Sequence, residues 1–515
     1  MCRSRLAGSN EDSSLTRLFA AAILPAMTVI SRREFARRAL AVGGAAIVGF
    51  DARTRSWLVQ GEQASPDLHD LPALDGALLR DETTRTAIAV DGGNMFHRVP
   101  IAVLRPGSVA DIVTMIKYAN RYGLKIATKG DGHSRYGQTQ AAGGIVIDTR
   151  SLGAITWHGP ASIDAQPGAF WGGVALTAWE KSLSPRVLPA TCMALTIGGT
   201  LAVGGIGRTS HRYGALVDNV TELDVVTGAG KLITCSPSHE RELFNMVLAG
   251  QGQCGIIARA RIPLVPAAKR VALQTLSYDD VDLYLDDQHR CAADGRFHSL
   301  FGAATRTPTG AWRYSIEVGT FFDSPTAPDT AARTSGLRFA SSTTPVTMSY
   351  TDYLFRFEAD AGARALGRPA PYIAVWIPAA AAKAFLARIA AIPPGSLGLR
   401  KTADGESIAM HPMITSRFTR PLFKVPSVEQ AFALWVHRGP PAGDPDALAA
   451  LLASQRALLS QATAAGGKVY APYSMVMSPD EWAAHFGPPV WKRLRSAKAE
   501  YDPHRTLAPE PAMFG

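Results

Sequence analysis

Two segments crowded with glycine constrain this chain more than any other feature: "KGDGHSRYGQ", Lys129–Gln138, and "LTIGGTLAVGGIGRTSHRYG", Leu195–Gly214. Glycine carries no Cβ, so such a run lets backbone amides converge on an anion and lets two backbones approach closely. Neither segment contains the Gly-Lys-Ser/Thr end of a P-loop. Neither opens a helix after a strand with an acidic residue at the dinucleotide-fold distance. Each alone reads as a tight corner or as a phosphate cradle. Two in one region, one of them bearing a His-Ser pair, favour a dinucleotide diphosphate site.

The flanking text is regular. "VPIAVLR" is a short apolar strand, Ser108 stands where a helix cap belongs, and Val109, Ile112, Val113 and Ile116 recur at helical spacing until Gly123. "LKIAT" and "GGIVIDT" read as strands, and "TELDVVTGAGKLITCS" as a hairpin. "ERELFNMVLAGQGQCGIIARARIPLVP" reads as a helix, a glycine corner and a long strand. Beyond Pro266 strands such as "WRYSIEVGTFF" and "APYIAVWIP" alternate with Ala-rich helices such as "AAAAKAFLARIAAI". The expected organisation is a leader and arm over 1–60, a cofactor-binding α+β domain over 61–266, a second domain over 267–464 and a C-terminal return over 465–515.

The net charge is +10, but residues 1–50 hold seven arginines against three acids, and the remainder is spread without a basic run. That distribution argues against nucleic acid as a partner. Arg32 and Arg33 precede the short apolar stretch Ala39–Phe50, which is too short to span a bilayer. The pair reads as a twin-arginine export signal, with a periplasmic or secreted destination and no stable membrane anchor. No small-x-small cleavage site follows Phe50, and Met27 is an alternative start. Five cysteines, Cys2, Cys192, Cys235, Cys254 and Cys291, form no CxxC pair, so buried thiols and no metal site are expected.

"GDGHSRYGQ" resembles the GxGHSxxGQ turn of the vanillyl-alcohol oxidase flavoprotein superfamily, and most of all its cytokinin dehydrogenase branch. "LTIGGTLAVGGIG", "RYGALVDNVTELDVVTGAGKLITCS", "LFNMVLAGQGQCGIIARARI", "MSYTDYLFRFE" and the closing "HFGPPVWKRLRSAKAEYDPHRTLAP" are similar to the same branch. The likeness runs over roughly residues 85–515. It implies an α+β fold: a two-part FAD-binding domain of the vanillyl-alcohol oxidase type, and an inserted substrate domain of antiparallel sheet flanked by helices. It implies FAD linked covalently through His133. Thr128, Gly130, Gly132, Ser134 and Gln138 would line the diphosphate and ring, and Thr196, Ile206, Ile256 and Tyr470 would add contacts. The reaction implied is oxidation of an amine C–N bond, with hydride passing to flavin N5 and on to oxygen or a quinone-like acceptor. Oxidation of an alcohol or carbohydrate hydroxyl on the same fold is the alternative, and a flavin-binding protein with little turnover is a second one.

The substrate side departs from the pattern. The family's catalytic aspartate is matched by Thr191, whose hydroxyl is no general base near neutral pH. A second flavin-linking cysteine would fall at Ala194, so one covalent link is expected and Cys192 reads as a buried thiol. Tyr372 matches an active-site aromatic, but its polar partner is replaced by Ala374. Ala508 and Pro511 replace a Ser…Gln pair near the C-terminus. Glu317 matches a glutamate at the substrate entrance and is the remaining candidate acid, with a plain surface carboxylate as the other reading.

Overall fold

The computed structural model describes residues 68–190, 192–357, 369–394, 401–402, 405–440, 444–510 and 512–514, together with the backbone of an antiparallel strand pair, Ile47–Asp51 and Ser56–Val59. Arg32, Arg33, Thr191 and Pro511 lie outside the described residues. Met1–Gln63 and Ala64–Gly515 are separate units, and the three sheets that follow all belong to the second.

A four-stranded sheet comes first, built from β1 (Ala77–Leu79), β2 (Ala102–Arg105), β3 (Ile126–Lys129) and β4 (Ile145–Asp148) in the order β1-β2-β4-β3. β2, β4 and β3 run parallel. Every residue of β4 is buried, as strands covered on both faces require. Helix α1 (Val109–Tyr122) presses Ile112, Met115, Ile116 and Ala119 onto this sheet and ends at Gly123, whose φ of 66° suits glycine. Ser108 does occupy the N-cap, yet its side chain makes no cap bond. Asp111 takes over the local polar work, accepting the amides of Asp75 (2.8 Å), Gly76 (2.8 Å) and Gly107 (2.7 Å). A carboxylate one turn into the helix can collect three donors where a hydroxyl at the cap would collect one.

The second sheet is antiparallel. Its strands are β5 (Ile155–Trp157), β6 (Ser162–Ala165), β7 (Leu183–Pro185), β8 (Glu222–Thr227), β9 (Leu232–Cys235) and the long β10 (Gly255–Pro266). β8 and β9 form the hairpin read from sequence, and both β6 and β7 pair with β10. Helices α2 (Trp171–Trp179), α3 (Ile197–Val203) and α4 (Arg241–Val247) supply Trp171, Val174, Ile197, Leu201 and Phe244 to its core.

The third sheet has ten strands, including β11 (Arg270–Tyr278), β12 (Ser299–Arg306), β13 (Trp312–Phe322), β14 (Tyr372–Pro378), β15 (Gly405–Ile414), β16 (Gln430–His437) and β17 (Lys468–Val469). Side chains alternate across a strand, and the alternation divides this sheet cleanly. Leu276, Leu300, Ile316, Ile408 and Leu434 join one apolar cluster with residues of α5 (Val281–Asp294), α6 (Ala382–Ala390) and α7 (Pro445–Ala464). Their chain neighbours Thr275, Phe301, Ser315, Ala409 and Trp435 line the cavity described below.

After α8 (Pro488–Tyr501) the chain returns to the first sheet. Ile126 donates its amide to Thr506 O and accepts the amide of Ala508, both at 2.8 Å. Buried Lys498 braces this return: its Nζ donates to Gln253 O (2.9 Å), Leu507 O (3.0 Å) and the carboxylate of Asp502 (2.7 Å). Asp502 in turn accepts the amides of Thr506 and Leu507, each at 2.9 Å. Breaking such a pair strands a buried charge. Lys498→Met is expected to lower unfolding free energy by about 3–5 kcal/mol, measured by denaturant titration; a loss below about 1 kcal/mol, the range of exposed pairs, would show the brace to be superficial.

Candidate active site

Both glycine segments open onto one cavity of about 890 Å³. β3 ends at Lys129 and its parallel neighbour β4 ends at Asp148, so the His133 loop leaves from the carboxyl edge of parallel strands, where open α/β sheets place ligands. The loop is fixed from behind. Gly92 donates to Ser134 O (2.8 Å), and a Cβ at Gly92 would sit 2.5 Å from Gly132 O. Buried Asp91 accepts from Gly93 (3.2 Å), Met95 (2.9 Å) and Gly137 (3.0 Å), tying the 91–95 turn to the far end of the histidine loop. Gly132 and Gly137 take φ of 76° and 79°, which a side chain rarely tolerates. The second segment supplies Thr196 as the N-cap of α3. A Cβ on Gly130 would overlap the Thr196 hydroxyl, so the two loops touch through a glycine.

Every described residue read from sequence as catalytic or cofactor-binding lines this cavity: Thr128, Gly130, Gly132, His133, Ser134, Gln138, Thr196, Ile206, Ile256, Glu317, Tyr372 and Tyr470. Thr191 lies outside the described residues, while its neighbours Ala190 and Cys192 line the wall. Several of these side chains are committed within the protein. Gln138 accepts from Tyr136 N (2.9 Å) and donates to Pro472 O (3.3 Å). The Tyr470 hydroxyl accepts the amide of Gly205 (3.0 Å), so its ring faces the cavity while its oxygen anchors the second glycine segment. Tyr372 lies under the Arg135 guanidinium (4.2 Å) and packs against His437 and Tyr473, each 4.4 Å away.

The far wall is the open face of the third sheet, and its register lays out the surface. Thr275, Glu317 and Phe301 stand in one cross-strand row; Ser315, Ala303, Ala409 and Trp435 stand in the next. Small residues thus floor a slot walled by Phe301, Trp435, Tyr372 and His411. Burial, then the nearby Arg208 charge, pushes His411 down to about 3, so its ring is neutral. Glu317 accepts from Arg356 Nη2 (2.7 Å) and pairs with Arg208 Nη1. It is therefore a carboxylate clamped by two guanidiniums, not a bare strand carboxylate.

Sequence reading missed Arg208, Arg356, Asp91 and Gln251. Arg208 carried one signal, the first charge to appear in the second glycine segment, ahead of Arg212. The others carried none: Arg356 meets Glu317 39 residues away, and Asp91 reaches the histidine loop through Gly137, 46 residues on.

The residues fit a flavin dinucleotide on structural grounds. The cavity is continuous from the glycine loops to the third sheet. Thr139 Oγ1 and Gln251 Nε2 are buried at its wall with no hydrogen-bond partner among the described residues, as expected of groups awaiting a polar ligand. Comparison agrees. Residues 100–236 match a family profile described as an FAD binding domain, and residues 278–514 match one described as cytokinin dehydrogenase 1, FAD and cytokinin binding. An uncharacterised oxidoreductase, ORF5 of the fasciation locus of Rhodococcoides fascians, is 33% identical over 443 residues, 85% of this chain and 98% of that protein. Cytokinin dehydrogenase 9 of Oryza sativa subsp. japonica is 31% identical over 476 residues, 83% of this chain and 89% of that protein. The chain belongs to the cytokinin dehydrogenase family of FAD-dependent oxidoreductases. Its fold is also that of 6-hydroxy-D-nicotine oxidase from Arthrobacter nicotinovorans, with a TM-score of 0.66 at 21% identity over 85% of this chain and 98% of that one. A chitooligosaccharide oxidase gives the same score at 15% identity, covering 84% and 97%. The expected fold class, the resemblance and the FAD-dependent oxidoreductase assignment are thereby shown.

Burial pushes Asp91 up to about 6, against the opposing pull of backbone donors and Lys129. A carboxyl raised on folding stabilises the protein below its unfolded value near 3.8 and loses that contribution as pH climbs through about 6. Between pH 4 and 6.5 the melting temperature should therefore fall more steeply for the wild type than for Asp91→Asn. Parallel curves for the two proteins would remove Asp91 as the titrating group.

Proposed function

We propose that this family member is exported through its twin-arginine leader and oxidises an amine C–N bond of a small molecule, with FAD held covalently by His133. The observation that carries the reading is the single cavity joining the His133 loop to the aromatic-walled face of the third sheet. FAD, when bound, supplies two-electron oxidation and passes the electrons on to oxygen or a quinone-like acceptor.

The chain's own residues supply position and environment. Thr128, Gly130, Gly132, Ser134 and Thr196 give a side-chain-poor cradle for the dinucleotide, and Ile206, Ile256 and the Tyr470 ring give apolar cover. Gln138 braces the loop that presents His133. Tyr372, stiffened by Arg135, His437 and Tyr473, orients the substrate body from the opposite wall. Covalent attachment suits a protein that leaves the compartment where its cofactor is made. No helix among the described residues is long and apolar enough to cross a membrane.

Thr191 stands where the family places its proton-accepting aspartate, so the substrate proton must leave by another route or the rate must be low.

Two measurements test the reading. Acid-precipitated protein should retain its yellow colour in the pellet, and His133→Ala should release it to the supernatant; colour wholly in the wild-type supernatant would exclude the covalent link. Thr191→Asp should raise oxidation of a purine cytokinin by about 10²-fold or more, the usual contribution of a general base. An unchanged rate with flavin still bound would count against that position as the base site.

A further inference from the structure

Among the described residues, the cluster of Arg208, Arg356 and Glu317 at the substrate end of the cavity carries one more positive charge than negative. Arg208 and Arg356 both pair with Glu317, and Glu317 is the only carboxylate partner of either among the described residues. Arg208 is almost wholly buried, with 5% of its side chain accessible. Its guanidinium lies against the rings of Phe301 (4.1 Å) and Phe357 (4.8 Å), its Nε donates to Ala190 O (3.0 Å) and its Nη1 meets Glu317. Its Nη2 finds no acceptor among the described residues, although Arg208 lines the cavity. Arg356 donates through Nη2 to Glu317 and through Nη1 to Tyr353 O, and lies over the Tyr353 and Phe357 rings at 4.0 and 4.5 Å; its Nε has no acceptor among the described residues but is buried, and Arg356 does not line the cavity. Nearby histidines add no further positive charge: burial and the Arg208 charge hold His411 neutral, and burial does the same for His211.

Desolvating two guanidiniums against one carboxylate is costly, and the cost falls when a second anion enters. Arginine is suited to that partner, because its planar fork matches a carboxylate and its faces tolerate aromatic stacking. The surroundings describe the rest of the ligand. The floor beside Arg208 is Ala303, Ser315 and Ala409, and the walls are Phe301 and Trp435, which admit a flat apolar body. We propose that Arg208 is a specificity-determining residue that binds a carboxylate carried on a planar, aromatic-type substrate. The inference rests on the reading above that this cavity is where the substrate is oxidised. It replaces the expectation that Glu317 serves as the free acid there: Glu317 sets the positions of the two arginines.

The test is binding, read without turnover. Flavin-bound protein is titrated with benzoate and phenylacetate and with their neutral isosteres benzamide and phenylacetamide, following tryptophan fluorescence, to which Trp435 in the wall contributes, and confirming by calorimetry. At least one acid should bind ten-fold or more tightly than its amide. Arg208→Gln should abolish that preference with flavin content unchanged, and Arg208→Lys should restore part of it. Equal affinity for each acid and its amide, binding by none of the four, or loss of flavin from Arg208→Gln would each overturn the proposal. Carboxylate preference in a protein that oxidises no amine would retain this inference and defeat the amine reading; amine oxidation without the preference would do the reverse.

Discussion

Asp91 is the point on which the cofactor side of the cavity turns. Its buried carboxylate accepts amides from its own turn and from Gly137, while Gly92 beside it bonds to Ser134. The His133 loop, three of whose ten residues are glycine, is thereby pinned at both ends. A glycine loop left alone would be mobile, because glycine loses the most conformational freedom on ordering. Here the rigidity comes from the 91–95 turn, from Arg135 donating to Gly92 O (2.6 Å) and from Lys129 donating to Ile88 O (2.8 Å) and Val90 O (2.5 Å). The loop can be bare toward the ligand because it is braced from the opposite side.

The substrate side is organised by a different constraint, the register of the third sheet. Alternation places leucines and isoleucines under the helices and leaves Thr275, Ser315, Ala303 and Ala409 as a shallow floor with aromatic walls. Charge then enters from outside the sheet. Arg208 arrives from the second glycine segment, Arg356 from the residues just after a short helix, Tyr350–Phe355, and both converge on Glu317 of β13. The two halves of the cavity are therefore joined by an ion cluster as well as by packing.

Much of this was legible in the chain. Short apolar runs, a helical stripe and a Gly-Ala-Gly turn located β2, α1, β3, β4 and the β8–β9 hairpin, because those elements are fixed by local pattern. Glycine density located both cofactor loops for the same reason. Ser108 was read as a cap, and the structure gives the bonding to Asp111, since which of two nearby polar groups collects the donors depends on where residues 75–76 pass. Glu317 could be placed on a strand but not given partners, for Arg208 lies 109 residues away. Tyr470 looked like a cofactor contact, and its hydroxyl is in fact engaged with Gly205, a pairing that only tertiary proximity creates. Long-range polar pairing is what a linear reading lacks.

The C-terminal return has a consequence for how the protein is made. β3 is among the first strands to emerge from the ribosome, yet the backbone groups of Ile126 are completed only by Thr506 and Ala508. The Lys498–Asp502 brace that secures them is also encoded near the end. Native edge pairing of the first sheet thus waits for nearly the whole chain, and a nascent or truncated product exposes a strand edge of the kind that recruits other chains.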